Sequence, residues 1–190
     1  MANSENKNSK STFLYILRIT LPLFIICSVT AATVSLVYAL TYEKAEKNMQ
    51  SVEEDAIHEI FGDGITISAA AKIDGGSCEI REIGNGGDTV GYSVKSTASG
   101  FGGDIEVIIG YNANLSIKKI SIVSHSETPG LGDRISGEYK DNYIGKYGKL
   151  VLGEDVDAIV GSTISSRALL TAVNNATGEL EIYQKEGAAA

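Results

Sequence analysis

The chain has 190 residues, with 16 lysines and arginines against 24 aspartates and glutamates and a formal net charge of −8, which leaves room for one modest soluble domain beside a membrane element and none for a second catalytic domain. Setting aside Glu5 and the early bases Lys7, Lys10 and Arg18 leaves 23 acids and 13 bases, a formal charge of −10 for the remainder, and such a surface argues against nucleic acid and anionic lipid as partners. The two cysteines, Cys27 in an apolar run and Cys78 in a polar region, are not expected to pair, and two thiols are too few for an ordinary iron–sulfur or structural zinc site.

Residues 1–12 are polar. From Phe13 to Leu40 the chain carries one charge, Arg18, and one proline, Pro22, so residues 13–40 exceed the roughly 20 apolar residues that cross a bilayer core and predict a transmembrane helix. A cleaved signal peptide is the rival reading. Its apolar region is usually only ~7 to 15 residues long, and no small-x-small site stands clear of this run. Lys7, Lys10 and Arg18 lie before or early in the span, and a mixed sequence of Glu43, Lys44, Glu46 and Lys47 follows it. The N-terminus is therefore expected in the cytoplasm and the domain after about Thr41 outside it.

Residues 41–62 predict a helical connector, with Ala45, Met49, Val52, Ala56 and Ile60 on one face, stopped by Gly62, Asp63 and Gly64. Short β-prone segments then follow near 65–73, 78–83, 89–97, 104–111 and 116–124, punctuated by glycine and asparagine. Ile105, Val107 and Ile109 alternate as a half-buried strand does, and Asn112 to Asn114 predict the turn after it. A loop from Glu127 to Asp133, a short helix or turn through Tyr139, a small strand near 149–152 and a helix over 164–175 complete the pattern. The class is α+β: one N-terminal transmembrane helix, then one domain over 63–185 with a twisted antiparallel sheet and flanking helices. Residues 186–190 are expected to fray.

Two segments carry chemistry. In the first, Gly161, Ser162, Thr163, Ile164, Ser165 and Ser166 open the apolar-periodic helix, which places free amide donors and hydroxyls at a helix N-terminus and suits an anion. Ordinary capping by Ser162 or Thr163 is the plainer alternative. In the second, Thr128 before Pro129 is biased to extended backbone, while Gly130 and Gly132 permit close approach of a ligand to the main chain. An ordinary Pro-Gly turn is the alternative there. His125 and Glu127, two apart, would share one side of a strand, and this admits an acid/base or metal reading that lacks further ligands.

The run Asp157, Gly161, Ser162, Thr163 resembles the flavinylation motif of the FMN-binding domain family, with Ser162 where alanine is usual. The run Glu127, Thr128, Pro129, Gly130, Leu131, Gly132 resembles the E-T-P-G-L-G loop of the electron-transport subunits of that family. The resemblance implies FMN joined through its phosphate to the Thr163 hydroxyl by a separate flavin transferase that uses FAD and magnesium. It also implies that Gly161, Ser162, Ile164, Ser165, Glu127, Thr128, Gly130, Leu131 and Gly132 surround the cofactor, with no catalytic residue and no metal. By layout and length the chain is similar to the G subunits of Rnf ion-translocating oxidoreductase complexes, which implies a one-electron relay between ferredoxin and NAD, with other integral membrane subunits of the complex as partners.

The alternatives are a component like the C subunit of sodium-translocating NADH:quinone reductases, usually longer, and a membrane-anchored binding module without redox chemistry. A hydrolase using Thr163 or a serine would need a base that the neighbouring sequence does not supply.

Overall fold

The computed structural model describes the backbone of residues 2–187 and the side chains of residues 15–186 except 43, 45 and 46. The side chains of the polar N-terminus, Ala45 of the predicted connector stripe and the expected frayed tail at Ala188 to Ala190 lie outside the described residues. The chain divides into two compact units, Met1–Gln50 and Ser51–Ala190.

In the first unit a single helix carries the whole apolar run. This helix, α1, spans Ala2–Phe61 and contains Pro22. Every described side chain from Tyr15 to Tyr42 is exposed, so the helix is apolar on all sides with nothing of the unit to cover it, as a helix solvated by lipid is. Four of its hydroxyls are satisfied internally. Thr20, Thr30, Thr33 and Thr41 each donate a hydroxyl to the carbonyl four residues back, at 3.0, 3.0, 2.8 and 2.6 Å, which removes the need for water at those positions. The segment fits a membrane anchor by length and composition.

The second unit begins with the last turns of α1, which belong to the folded domain. Five strands follow: β1 Thr66–Ile67, β2 Glu79–Asn85, β3 Asp88–Ser99, β4 Asp104–Asn112 and β5 Ile117–Ser124. They lie in one sheet in sequence order, each antiparallel to the next. The alternation in β4 assigns its two faces. Ile105, Val107, Ile109 and Tyr111 point to one side and join Ile80, Val94, Ile117 and Ile120 in the main core. Helix α2, Thr163–Gly187, covers that side with Leu169, Ala172, Val173, Ala176 and Leu180.

Ile108 points the other way and meets Ala56, Ile57, Ile60 and Ile83 in a second, smaller cluster. Gly110 is what lets the helix approach, because a Cβ there would collide with Ile60 and press on the Phe61 ring. Next to this cluster the contact turns ionic: Glu53, 6 % exposed, is paired with Arg81 at 3.3 Å and Lys95 at 2.5 Å. The sheet is thus covered on both faces, and strand β4 contributes to the clusters on both.

Several expectations need correction. The connector stripe runs through Glu53, Ala56, Ile57 and Ile60, while Met49 and Val52 are exposed; the helix is set by what its final turns meet rather than by a continuous apolar stripe. The segment predicted over 65–73 pairs only at Thr66–Ile67, with an isolated bridge from Ala71 to Ile80. Residues 149–152 form no strand beyond a bridge from Leu152 to Val156, because the Asn174 side chain occupies both backbone groups of Leu150 at 2.9 Å. Helix α2 runs well past Asn175, since Ala176, Leu180 and Tyr183 continue its apolar face.

Candidate functional site

Three chain segments that are far apart in sequence meet at the N-terminal end of α2. They are the β3–β4 turn at Gly100 to Gly103, the loop after β5 from Ser126 to Gly132, and Gly161 to Ser166. Together they enclose a cleft of about 290 Å³ lined by Phe101, Glu127, Thr128, Leu131, Gly132, Gly161, Ser162, Thr163, Ile164 and Ser165. The structure therefore brings together nine of the ten residues singled out from the sequence, Gly130 being the one outside the lining. Gly130 has a left-handed φ of 75° and open space around it, so it shapes the turn.

Glu127 joins the three segments. Its Oε1 accepts the Phe101 amide at 2.7 Å and the Gly102 amide at 3.1 Å, and its Oε2 accepts the Ser165 hydroxyl at 2.5 Å. Burial pushes its pKa up, but the hydrogen bonds from Ser165, Gly102 and Phe101, with the nearby His125, outweigh that and hold the carboxyl below its ordinary value. Two glycines make the clasp possible. A Cβ on Gly100 or on Gly132 would overlap the Glu127 carboxylate. The strand-like pairing of His125 with Glu127 does not form, because β5 ends at Ser124. His125 Nδ1 instead accepts the Glu127 amide at 3.2 Å, which commits the imidazole to shaping the loop.

The approach to α2 is equally ordered. Gly161 takes a left-handed φ of 83°, with the Leu131 side chain close beside it. The Ser162 carbonyl accepts the Ser166 amide and the Ser166 hydroxyl, both at 3.0 Å, and the Ser166 hydroxyl in turn accepts the Ile159 amide at 3.0 Å. This fixes Ser162 as the capping residue. Its own hydroxyl donates to Ser165 at 2.9 Å, so Ser162 and Ser165 form a chain that ends on Glu127. Ser162 and Ser165 are buried, whereas Thr163 and Ile164 are exposed at the cleft. The amides of Thr163, Ile164 and Ser165 precede the first intrahelical bond and face no carbonyl of the helix, so this end of α2 is suited to a phosphate.

The cleft pairs that polar end with apolar walls. Phe101 is 69 % exposed, Ile164 55 % and Leu131 44 %, and such surface at the mouth of a cleft suits a planar ring. Phe101 was missed from the sequence, where Gly100, Gly102 and Gly103 read as turn punctuation. The available signal was an aromatic residue set among glycines at a turn, where a large apolar side chain has no packing partner of its own.

Asp157, the acid of the flavinylation motif, lies outside this cleft. It is exposed and lines a second, larger and more open depression with Arg134, Glu138, Tyr139, Asn142 and Val160.

Residues 100–178 match the family model described as FMN-binding domain, and that interval takes in all three segments of the cleft. That stretch is similar to FMN-binding domains. Among curated proteins it is similar to the G subunit of the Na(+)-translocating ferredoxin:NAD(+) oxidoreductase complex of Acetobacterium woodii, with 37 % identity over 52 % of this chain and 51 % of that protein. It is also similar to the G subunit of the proton-translocating ferredoxin:NAD(+) oxidoreductase complex of Clostridium ljungdahlii, with 27 % identity over 96 % of this chain and 98 % of that protein. The match to the first of these thus spans about half of that relative's length. Among solved structures, Shewanella oneidensis NqrC superposes with a TM-score of 0.50 at 19 % identity, over 65 % of this chain and 70 % of that one, a likeness of fold.

Proposed function

We propose that this chain is the electron-transfer subunit of a membrane ion-translocating ferredoxin:NAD oxidoreductase, with FMN joined by a phosphodiester to Thr163. The observation that carries the attachment is the contrast between neighbouring hydroxyls. Ser162 and Ser165 are buried and engaged in the chain to Glu127, whereas Thr163, the first residue of α2, is exposed at the cleft. A phosphate bonded there would keep one negative charge, which the free amides of the first helical turn would hold. Phe101, Leu131 and Ile164 supply apolar walls for the ring, and the 127–132 loop closes one side.

When bound, FMN supplies electron transfer in one-electron steps. The protein's part is to hold the ring at a fixed place and to keep its surroundings constant. Tethering also prevents loss of a cofactor that would otherwise dissociate into a large volume. Threonine is a weak nucleophile without activation, so attachment requires a separate flavin transferase. The early bases Lys7, Lys10 and Arg18 support an anchor whose N-terminus is cytoplasmic and a domain on the opposite side of the membrane, with the other integral membrane subunits of the complex as partners.

The test is intact mass and peptide mapping of the full chain, co-expressed with a flavin transferase and purified in detergent. The expected result is an added FMN mass on the peptide containing Thr163, lost in Thr163→Ala and retained in Ser162→Ala. A colourless, unmodified protein would leave the segment as a helix cap and favour a binding module. Reporter fusions at each end decide the orientation, and a cytoplasmic C-terminus would overturn it.

A further inference from the structure

We infer that Glu127 is a positioning residue that fixes one negative charge in the wall of the cleft and so makes a flavin held there harder to reduce; the inference rests on the FMN reading above. Glu127 is 5 % exposed, yet its carboxylate has every reason to stay ionised. Two main-chain amides and one hydroxyl donate to it, and donors of this kind stabilise the charged form. Its pKa lies below the ordinary value despite burial, in keeping with that geometry.

A charge so placed differs from one at the surface. It lines the cleft itself and is buried, where lower polarizability lengthens its reach and mobile ions screen it less than a surface charge. A flavin that accepts an electron gains negative charge, and the carboxylate opposes that gain. The electron comes from the reduced partner of the proposed complex, and Glu127, having no proton to give, takes no part in the transfer. The three donors moderate the field. Ser165 is the one donor that can be removed without touching the backbone, and Ser162 in turn donates to it.

The geometry therefore makes two opposite demands. Glu127→Gln keeps the shape and an acceptor for the Phe101 and Gly102 amides but deletes the charge. Ser165→Ala keeps the charge but deletes a donor. A role confined to holding the loops together gives no reason for these two changes to act with opposite sign.

The experiment is a mediated redox titration, followed by flavin absorbance, of the full chain loaded by co-expression with a flavin transferase and held in detergent. Glu127→Gln is expected to move the midpoint to more positive potential and Ser165→Ala to more negative. Unmoved midpoints in both variants, or shifts of the same sign, overturn the inference. If Glu127→Gln does not fold, Ser165→Ala decides alone: a negative shift supports the inference, and no shift or a positive one overturns it. A wild-type chain without flavin overturns the FMN reading and this inference together, whereas a flavin-loaded chain whose potentials do not respond overturns this inference only.

Discussion

Helix α2 is tied to the rest of the domain by two glutamates that use the same chemistry at opposite ends. Near its N-terminus, Glu127 reaches in from the loop after β5 and collects two amides and the Ser165 hydroxyl. Toward its C-terminus, Glu179 reaches out from the helix and accepts the Ser77 amide at 2.9 Å, the Ser77 hydroxyl at 3.2 Å and the Cys78 amide at 2.9 Å. Each is closely approached by a glycine where a Cβ would collide with its carboxylate, Gly132 for Glu127 and Gly76 for Glu179. Burial raises both pKa values, and in both the donated hydrogen bonds win and the net shift is downward.

The environments differ. Glu127 is almost fully buried, whereas Glu179 is partly open to water. Similar hydrogen-bond sets therefore differ in consequence: water replaces a lost acceptor more readily at Glu179 than at Glu127. A buried clasp shapes a binding cleft rigidly, and a half-open one serves as a replaceable staple.

The sharpest way to break that contrast is to delete each carboxylate. Glu127→Ala leaves two amides and a hydroxyl without their acceptor at a buried position, and about 3 kcal/mol of stability should be lost along with flavin loading, as read by urea denaturation and visible absorbance. Gly132→Ala drives a methyl group into the Glu127 carboxylate and toward Ser165. It should cost about 1 to 3 kcal/mol, whereas Gly130→Ala, with open space but a left-handed backbone, should cost about 1 to 2 kcal/mol and leave the clasp intact. Glu179→Ala should cost only about 1 kcal/mol and leave flavin content unchanged. An equal effect of Glu127→Ala and Glu179→Ala on flavin content would end the distinction.

The smallest effect is on pH dependence. Both carboxyls are depressed in the folded state, so the stability they add is fully present above the unfolded-state pKa of about 4.3. It is lost as pH falls through their lower folded values. Urea midpoints measured from pH 7 down to pH 3 should begin to fall below about pH 4.3 in the wild type, and Glu127→Gln and Glu179→Gln should each remove part of that fall.

Much of this architecture was legible in the sequence, and for local reasons. The alternation of Ile105, Val107 and Ile109 is a short-range pattern, and it reappears as the main-core face of β4. The segments Glu127 to Gly132 and Gly161 to Ser165 were marked by glycine, hydroxyl and proline chemistry, and they do converge on one cleft. What escaped depends on contacts between distant parts of the chain. The alliance of Glu127 with Phe101 and Gly102 joins residues some 25 positions apart, and nothing in the local sequence of either announces the other. The missing strand at 149–152 has the same origin, because Asn174 takes the backbone groups a neighbouring strand would need. Met49 and Val52 continue the apolar spacing but stay exposed.

The order of strands in the sheet bears on how the protein comes to be made. All five strands pair with their immediate neighbours in the chain, so the sheet can assemble as it is synthesised, by closing short hairpins. The helix that covers its larger face follows them all. Until α2 emerges, Val94, Val107, Ile109 and Ile120 present a bare apolar surface, and Glu127 has no Ser165 to receive. The nascent domain therefore passes through a stage with paired strands and an unroofed core, open to aggregation or to a holding chaperone, and the cleft takes shape as the final act of folding. Any enzyme that acts on Thr163 must wait for that act or reach its target before the helix has docked.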